Sequence, residues 1–131
     1  MKVLVDTCVW SKVLRSEKPD PGLSKLLKDL ISDSRIVMIG PIFQEILSGI
    51  KNKKDFKALA EMLSDFDHLP ITEEVYMKAA EFYNVCKSHG MNGGHVDFLI
   101  CAAAAYHNCS LLTTDADFKL FEKYLPIKIL H

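Results

Sequence analysis

The chain has 131 residues, of which 49% are hydrophobic, and 16 basic side chains stand against 17 acidic ones for a net charge of −1. That length suits one domain able to bury roughly two-thirds of its unfolded surface, and the apolar content suits a parallel sheet covered on both faces. The balance of charge excludes a generally basic nucleic-acid coat, although setting aside Asp6, Glu45, Asp97 and Asp115 leaves 13 acids against 16 bases, a mildly basic remainder of +3.

In chain order, Val3-Leu4-Val5 reads as a buried strand that runs directly into Asp6, and Thr7 to Arg15 reads as a helix. The opening MKVLVDT is interrupted by Asp6 before a signal-peptide core forms. Glu17 to Gly22, with Pro19 and Pro21, reads as a loop. Leu23, Leu26, Leu27, Leu30 and Ile31 then recur at helical spacing. Ile36 to Ile39 is a short strand stopped by Gly40-Pro41, and Pro41 suits the first turn of the next helix. In that helix Ile42, Glu45, Ile46 and Gly49 share a stripe, so Glu45 emerges from an apolar face, where an isolated charge is costly to bury.

Lys51-Asn52-Lys53-Lys54 forms a basic turn, Phe56 to Phe66 a helix, and Leu69-Pro70-Ile71 a weak strand. Thr72 caps a helix from Glu73 to His89 that Gly90 terminates. After the glycine-rich Asn92-Gly93-Gly94, a helix from His95 to His107 carries Asp97 in its first turn. Its apolar run, Phe98 to Tyr106, is about half the roughly 20 residues of a membrane span. Ser110 to Thr113 is a strand followed by Asp115, Ala116 to Tyr124 is the last helix, and Ile127 to Leu130 closes the sheet. Strands alternating with helices imply an α/β fold with a central parallel sheet.

Asp6 and Asp115 thus follow strands, while Glu45 and Asp97 lie in early helical turns, with Asp117 a further candidate. Each has a plain structural role available: Asp115 as a helix cap, Asp97 and Asp117 as favourable first-turn charges. Together they form a set of oxygen ligands. Crowded carboxylates repel one another unless a cation neutralises them, and all-oxygen ligation favours Mg²⁺ or Mn²⁺ over Zn²⁺. Such ions leave positions for a phosphate and a water, as phosphodiester hydrolysis requires. Cys8, Cys86, Cys101 and Cys109 lack metal-ligand spacing and read as small buried hydrophobes of a reducing cytosol. His95 is read as a solvent-facing helix-start residue rather than a contact to substrate phosphate. Lys51, Lys53, Lys54 and Lys57 are read as a solvated turn rather than an RNA grip, and Trp10 as core rather than a base-stacking surface.

The segments VLVDTCVWS, PIFQEILSG, VDFLICAAAA and LLTTDADF, in this order, resemble the PIN-domain ribonucleases, specifically the VapC-type toxins of VapBC toxin–antitoxin pairs. The resemblance covers the whole chain and implies one domain over residues 1–131 with a three-layer α/β/α fold and a central parallel sheet. It implies a cytoplasmic, Mg²⁺- or Mn²⁺-dependent endoribonuclease that leaves a 5′-phosphate and a 3′-hydroxyl. Asp6, Glu45, Asp97 and Asp115 match the family's four acids, and Thr113 a hydroxyl residue near the metal. A homodimer restrained by a VapB-like antitoxin is implied as well. The glycines and His95 ahead of Asp97 depart from the usual pattern. A phosphoacceptor receiver domain would need an acid pair after the first strand and an Asp ending a middle strand, where this chain has Gly40-Pro41. A PIN-fold binding module without catalysis is opposed by the complete acidic set. A dinucleotide enzyme is opposed by the lack of GxGxxG after the first strand.

Overall fold

The computed structural model describes residues 1–130. Three short strands, β1 (Val3–Val5), β2 (Ile36–Met38) and β4 (Ser110–Leu112), join a two-residue edge strand, β3 (Asp67–His68), in a parallel sheet of order β3-β2-β1-β4. Successive strand residues point to opposite faces, yet Val3, Leu4 and Val5 are all fully buried. Both faces of β1 are therefore covered, giving the expected three-layer α/β/α architecture.

The helices are α1 (Thr7–Leu14), α2 (Pro21–Ser32), α3 (Gly40–Leu47), α4 (Lys53–Ser64), α5 (Glu73–Ser88), α6 (His95–Tyr106) and α7 (Ala116–Phe121). The first four contact one another in series, α1 touching α2 and α3, and α3 touching α4; α5 packs along α6, which packs on β4. The small residues of α6 permit close approach, and Cys101, Ala102, Ala103 and Ala104 are all buried. Trp10 is core as expected, its indole packed on the Phe66 ring at 5.6 Å between centroids.

Several element boundaries differ from the sequence reading for local reasons. Helix α2 begins at Pro21, because the Asp20 carboxylate accepts from the Gly22 and Leu23 amides and fixes the first turn there. Asn52 does the same for α4, drawing Lys53 and Lys54 into the helix. The edge strand lies at Asp67–His68 rather than Leu69 to Ile71. The Leu69 amide makes a last bond to the Met38 carbonyl, and Pro70 has no N–H to continue the ladder. Thr72 occupies the N-cap position of α5 without a capping bond from its side chain. Gly90, at φ +72°, follows the C-cap residue His89, in keeping with the expected helix end. Helix α7 stops at Phe121, ahead of the expected Tyr124. The terminal segment contributes a single parallel bridge, Ile129 to Leu111, instead of a strand. Among the described residues no helix is long and apolar enough to cross a membrane.

Strand order positions the site. From β1 the chain proceeds outward to β2 and β3, then returns to add β4 on the other side of β1. The direction of winding reverses between β1 and β4. In open parallel sheets the crevice outside the carboxyl ends at such a reversal is the place where ligands bind. Asp6 follows β1 and Thr113 to Asp115 follow β4, so both corners open on this crevice.

Candidate active site

Asp6 is buried, with only 7% of its surface exposed, and its carboxylate is held from two directions. Oδ1 accepts the Thr7 amide at 2.8 Å, which makes Asp6 the N-cap of α1. Oδ2 accepts the Thr113 hydroxyl at 2.9 Å and the Cys8 thiol at 3.3 Å. The Asp6 amide donates to the Leu112 carbonyl at 2.9 Å, so backbone and side chain are both tied to the end of β4.

Asp115 N-caps α7, its Oδ1 accepting the Asp117 amide at 2.9 Å, and its own amide donates to Thr113 Oγ1 at 3.1 Å. Thr113 therefore spends its proton on Asp6 and its acceptor capacity on Asp115, linking two acids of the crevice. Asp97 reaches the same place from the start of α6, where Oδ2 accepts the Gly94 amide at 3.0 Å. The carboxyl of Asp97 is pushed above its ordinary range. Burial is the main cause, the Gly94 hydrogen bond opposes it, and the charges of Asp115, Asp6 and Asp117 add to it. Asp6, Asp97, Asp115 and Asp117 thus form one electrostatic group, which includes the fifth candidate, Asp117.

Glu45 is placed differently. It is exposed on α3, whose buried residues are Ile42, Ile46 and Leu47, and it takes no part in the electrostatics of Asp97. The partner that an acid on an apolar face would need is therefore not required, because Glu45 stands in solvent. At 100° per residue Glu45 falls at the margin of the stripe between Ile42 and Ile46, and Gly49, at φ +89°, lies past the helix end. His95 opens α6, exposed, its ring stacked on Tyr83 at 4.9 Å. Lys51, Lys53, Lys54 and Lys57 are exposed, Lys51 ahead of α4 and the other three on that helix rather than in a turn.

The sequence reading missed Cys8. It is partly buried, unlike the buried Cys86, Cys101 and Cys109, and it packs against the core while its thiol reaches Asp6. Its place two residues beyond a strand-end acid was the available signal.

The donor set fits a hard divalent cation. All four acids offer oxygen, and Asp97 Oδ1 and Asp115 Oδ2 accept no hydrogen bond among the described residues. No three His, Cys, Asp or Glu side chains among the described residues close around a single point as a protein cage would. An ion that takes one or two carboxylates and keeps several waters, as Mg²⁺ and Mn²⁺ do, requires no such cage, whereas a structural Zn²⁺ site demands a closed tetrahedron.

A family model for the PIN domain matches residues 3–124 of this chain. The chain belongs to the PIN-domain family. It is similar to ribonuclease VapC11 of Mycobacterium tuberculosis, with 26% identity over 125 residues and 92% of each chain covered. Its fold is that of FitAcB from Neisseria gonorrhoeae, with a TM-score of 0.75, 21% identity, and 98% of this chain and 96% of that one covered. It also matches VapBC2 of Rickettsia felis, a structure with a promoter DNA fragment, at a TM-score of 0.75 and 20% identity, covering 100% and 98%. The PIN fold accounts for the parallel sheet and for the crevice at its carboxyl edge.

Proposed function

We propose that this PIN-domain protein is an Mg²⁺- or Mn²⁺-dependent endoribonuclease, a single nuclease domain that serves as the toxin of a cytoplasmic toxin–antitoxin pair. The observation that carries the reading is the gathering of acids at the reversal point of the sheet, where Thr113 joins Asp6 to the Asp115 corner and Asp97, its carboxyl raised by burial and by the charges of Asp115, Asp6 and Asp117, stands beside them. Four acids gathered at a crevice reduce stability unless a cation and its substrate use them. The ribonuclease name of the curated relative supports RNA as the substrate.

In this reading the cation draws on Asp6, Glu45, Asp97 and Asp115, with one or two of them bound directly and the others reaching it through its waters, and Asp117 is a further candidate. Once bound, the ion acidifies water and neutralises charge on the scissile phosphate. The protein's own contribution is orientation. Thr7, Thr113 and Cys8 fix the Asp6 carboxylate, the Gly94 amide fixes Asp97, and the Asp117 amide fixes Asp115. Asp97 Oδ1 and Asp115 Oδ2 remain as acceptors able to orient the attacking water. In-line attack at phosphorus breaks the bond to the 3′ oxygen, leaving a 3′-hydroxyl and a 5′-phosphate.

A restraining partner is part of the proposal, because the solved relatives include toxin–antitoxin complexes. An apolar groove of about 440 Å³ between α1, α3 and α4, lined by Trp10, Leu14, Ile46, Leu59 and Met62 with Arg15 and Asp55 at hand, suits an apolar segment of such an antitoxin. Tyr76 and Met77 on α5 and Val96 on α6 are exposed and offer apolar area to a second copy, in support of a homodimer.

The test is cleavage of tRNA, rRNA and unstructured RNA by the purified, antitoxin-free protein with Mg²⁺, Mn²⁺ or EDTA, beside Asp6→Asn. The reading predicts metal-dependent cleavage that Asp6→Asn abolishes while thermal unfolding stays cooperative. A folded wild-type protein that neither binds Mn²⁺ nor cuts any of these RNAs would sink it in favour of a non-catalytic binding module.

A further inference from the structure

Cys8 takes part in a set of contacts whose direction can be worked out by counting protons. Its Sγ lies 3.3 Å from Asp6 Oδ2, 3.3 Å from Thr114 Oγ1, 3.5 Å from the Thr114 amide nitrogen and 3.5 Å from Thr113 Oγ1. A carboxylate oxygen can only accept, so the single thiol proton goes to Asp6. The Thr114 amide can only donate, so sulfur accepts from it, and with its proton committed sulfur accepts from the Thr114 hydroxyl too. The Thr113 hydroxyl donates to Asp6 Oδ2 at 2.9 Å, so its 3.5 Å contact with sulfur is packing rather than a hydrogen bond. The donors run from Thr114 through Cys8 to Asp6, each bond polarising the next.

We propose that Cys8 is a positioning residue, whose thiol joins the Asp6 carboxylate to the Thr114 backbone and thereby sets the spacing between Asp6 and the corner that delivers Asp115. The proposal rests on the nuclease reading for its consequence and on geometry for its mechanism. Three features carry it. Cys8 is the one cysteine of four that is only partly buried, its thiol in contact with Asp6 and Thr114 at the margin of the core. It stands opposite the Thr7 amide, so that Asp6 is gripped on both carboxylate oxygens. It spans 106 residues of sequence to Thr114, immediately before Asp115. Thr113 alone cannot replace it, because that hydroxyl has one proton and reaches Asp6 without touching the Thr114 amide.

Cys8→Ser keeps a donor and an acceptor at the position, whereas Cys8→Ala removes both. Three readouts separate the possibilities: Mn²⁺ affinity of the RNA-free protein by electron paramagnetic resonance, hydrogen exchange of the Thr114 amide, and kcat and KM for RNA cleavage. The expected result for Cys8→Ala is Mn²⁺ affinity and kcat each lowered about 3- to 10-fold, KM unchanged, and faster Thr114 exchange. Cys8→Ser should stay within about 2-fold of wild type, the allowance for a shorter bond to oxygen. Unchanged Thr114 exchange in Cys8→Ala, or an equal loss in Cys8→Ser, would overturn the proposal. The exchange measurement decides on the link even for a wild-type protein that cleaves no RNA, a result that would count against the nuclease reading alone.

Discussion

The hydroxyl of Thr113 donates to Asp6 Oδ2 at 2.9 Å while accepting the Asp115 amide at 3.1 Å, so one small side chain couples two acids that lie 109 residues apart. Thr113→Val preserves shape but removes both functions, leaving the partly buried Asp115 amide without its partner. The expected cost is about 1–3 kcal/mol of stability, measured by urea denaturation, and about a 10- to 100-fold fall in single-turnover RNA cleavage. Thr113→Ser should recover most of both. A Val variant as active as wild type would remove Thr113 from the support of the site.

Asp97 gives a pH signature in the cation-free protein. Its folded-state pKa lies above the unfolded value, chiefly through burial, with Asp115, Asp6 and Asp117 adding to the shift. Between the two values the folded form binds more protons, so stability falls as pH rises through that window. In EDTA, Asp97→Asn should therefore melt higher than wild type at pH 7.5. The difference should vanish as pH falls below the unfolded value, where Asp97 is protonated in both states. Mn²⁺ should narrow the gap at pH 7.5 by stabilising wild type more than the variant. Equal melting temperatures for the two proteins in EDTA across the whole range would show that Asp97 bears no electrostatic strain.

Glu45 separates catalytic use from structural use. Because it is exposed and makes no hydrogen bond or ion pair among the described residues, Glu45→Gln should change stability by less than about 0.5 kcal/mol. Membership in the cation set predicts that the same variant needs a higher Mg²⁺ concentration for half-maximal cleavage. An unaltered Mg²⁺ dependence would place Glu45 outside the site.

Gly93 holds the segment that leads into Asp97. Its φ of +131° is unfavourable for side chains, and a Cβ would come within 2.8 Å of the Phe121 ring and 2.9 Å of Phe98. Gly93→Ala should cost about 1–3 kcal/mol from the backbone alone, with displacement of two packed rings added. It should also lower cleavage by moving the Gly94 amide that holds Asp97. A urea midpoint identical to wild type would show that the segment relaxes freely.

Local chemistry made much of this protein legible from its residues. An apolar run meeting Asp6, the 3.6-residue spacing of Leu23 to Ile31, Gly90 at a helix end and Asp115 ahead of a helix each act within a few positions. The elements and the acids at their ends could be named on that basis. The PIN resemblance rests on the same local segments in order.

Tertiary structure decided what depends on neighbours distant in sequence. Insertion of β4 beside β1 creates the reversal point and brings Thr113 to Asp6. A three-residue strand carries no signal of its partner, because pairing is chosen by packing on both faces. Likewise, the 3.6-residue pattern placed Glu45 on an apolar stripe with Ile42 and Ile46, whereas in the fold Ile42 and Ile46 are buried and Glu45 faces solvent. Cys8 read as an ordinary apolar residue because thiols usually are; its contacts with Asp6 and Thr114 exist because two chain ends meet at one sheet edge.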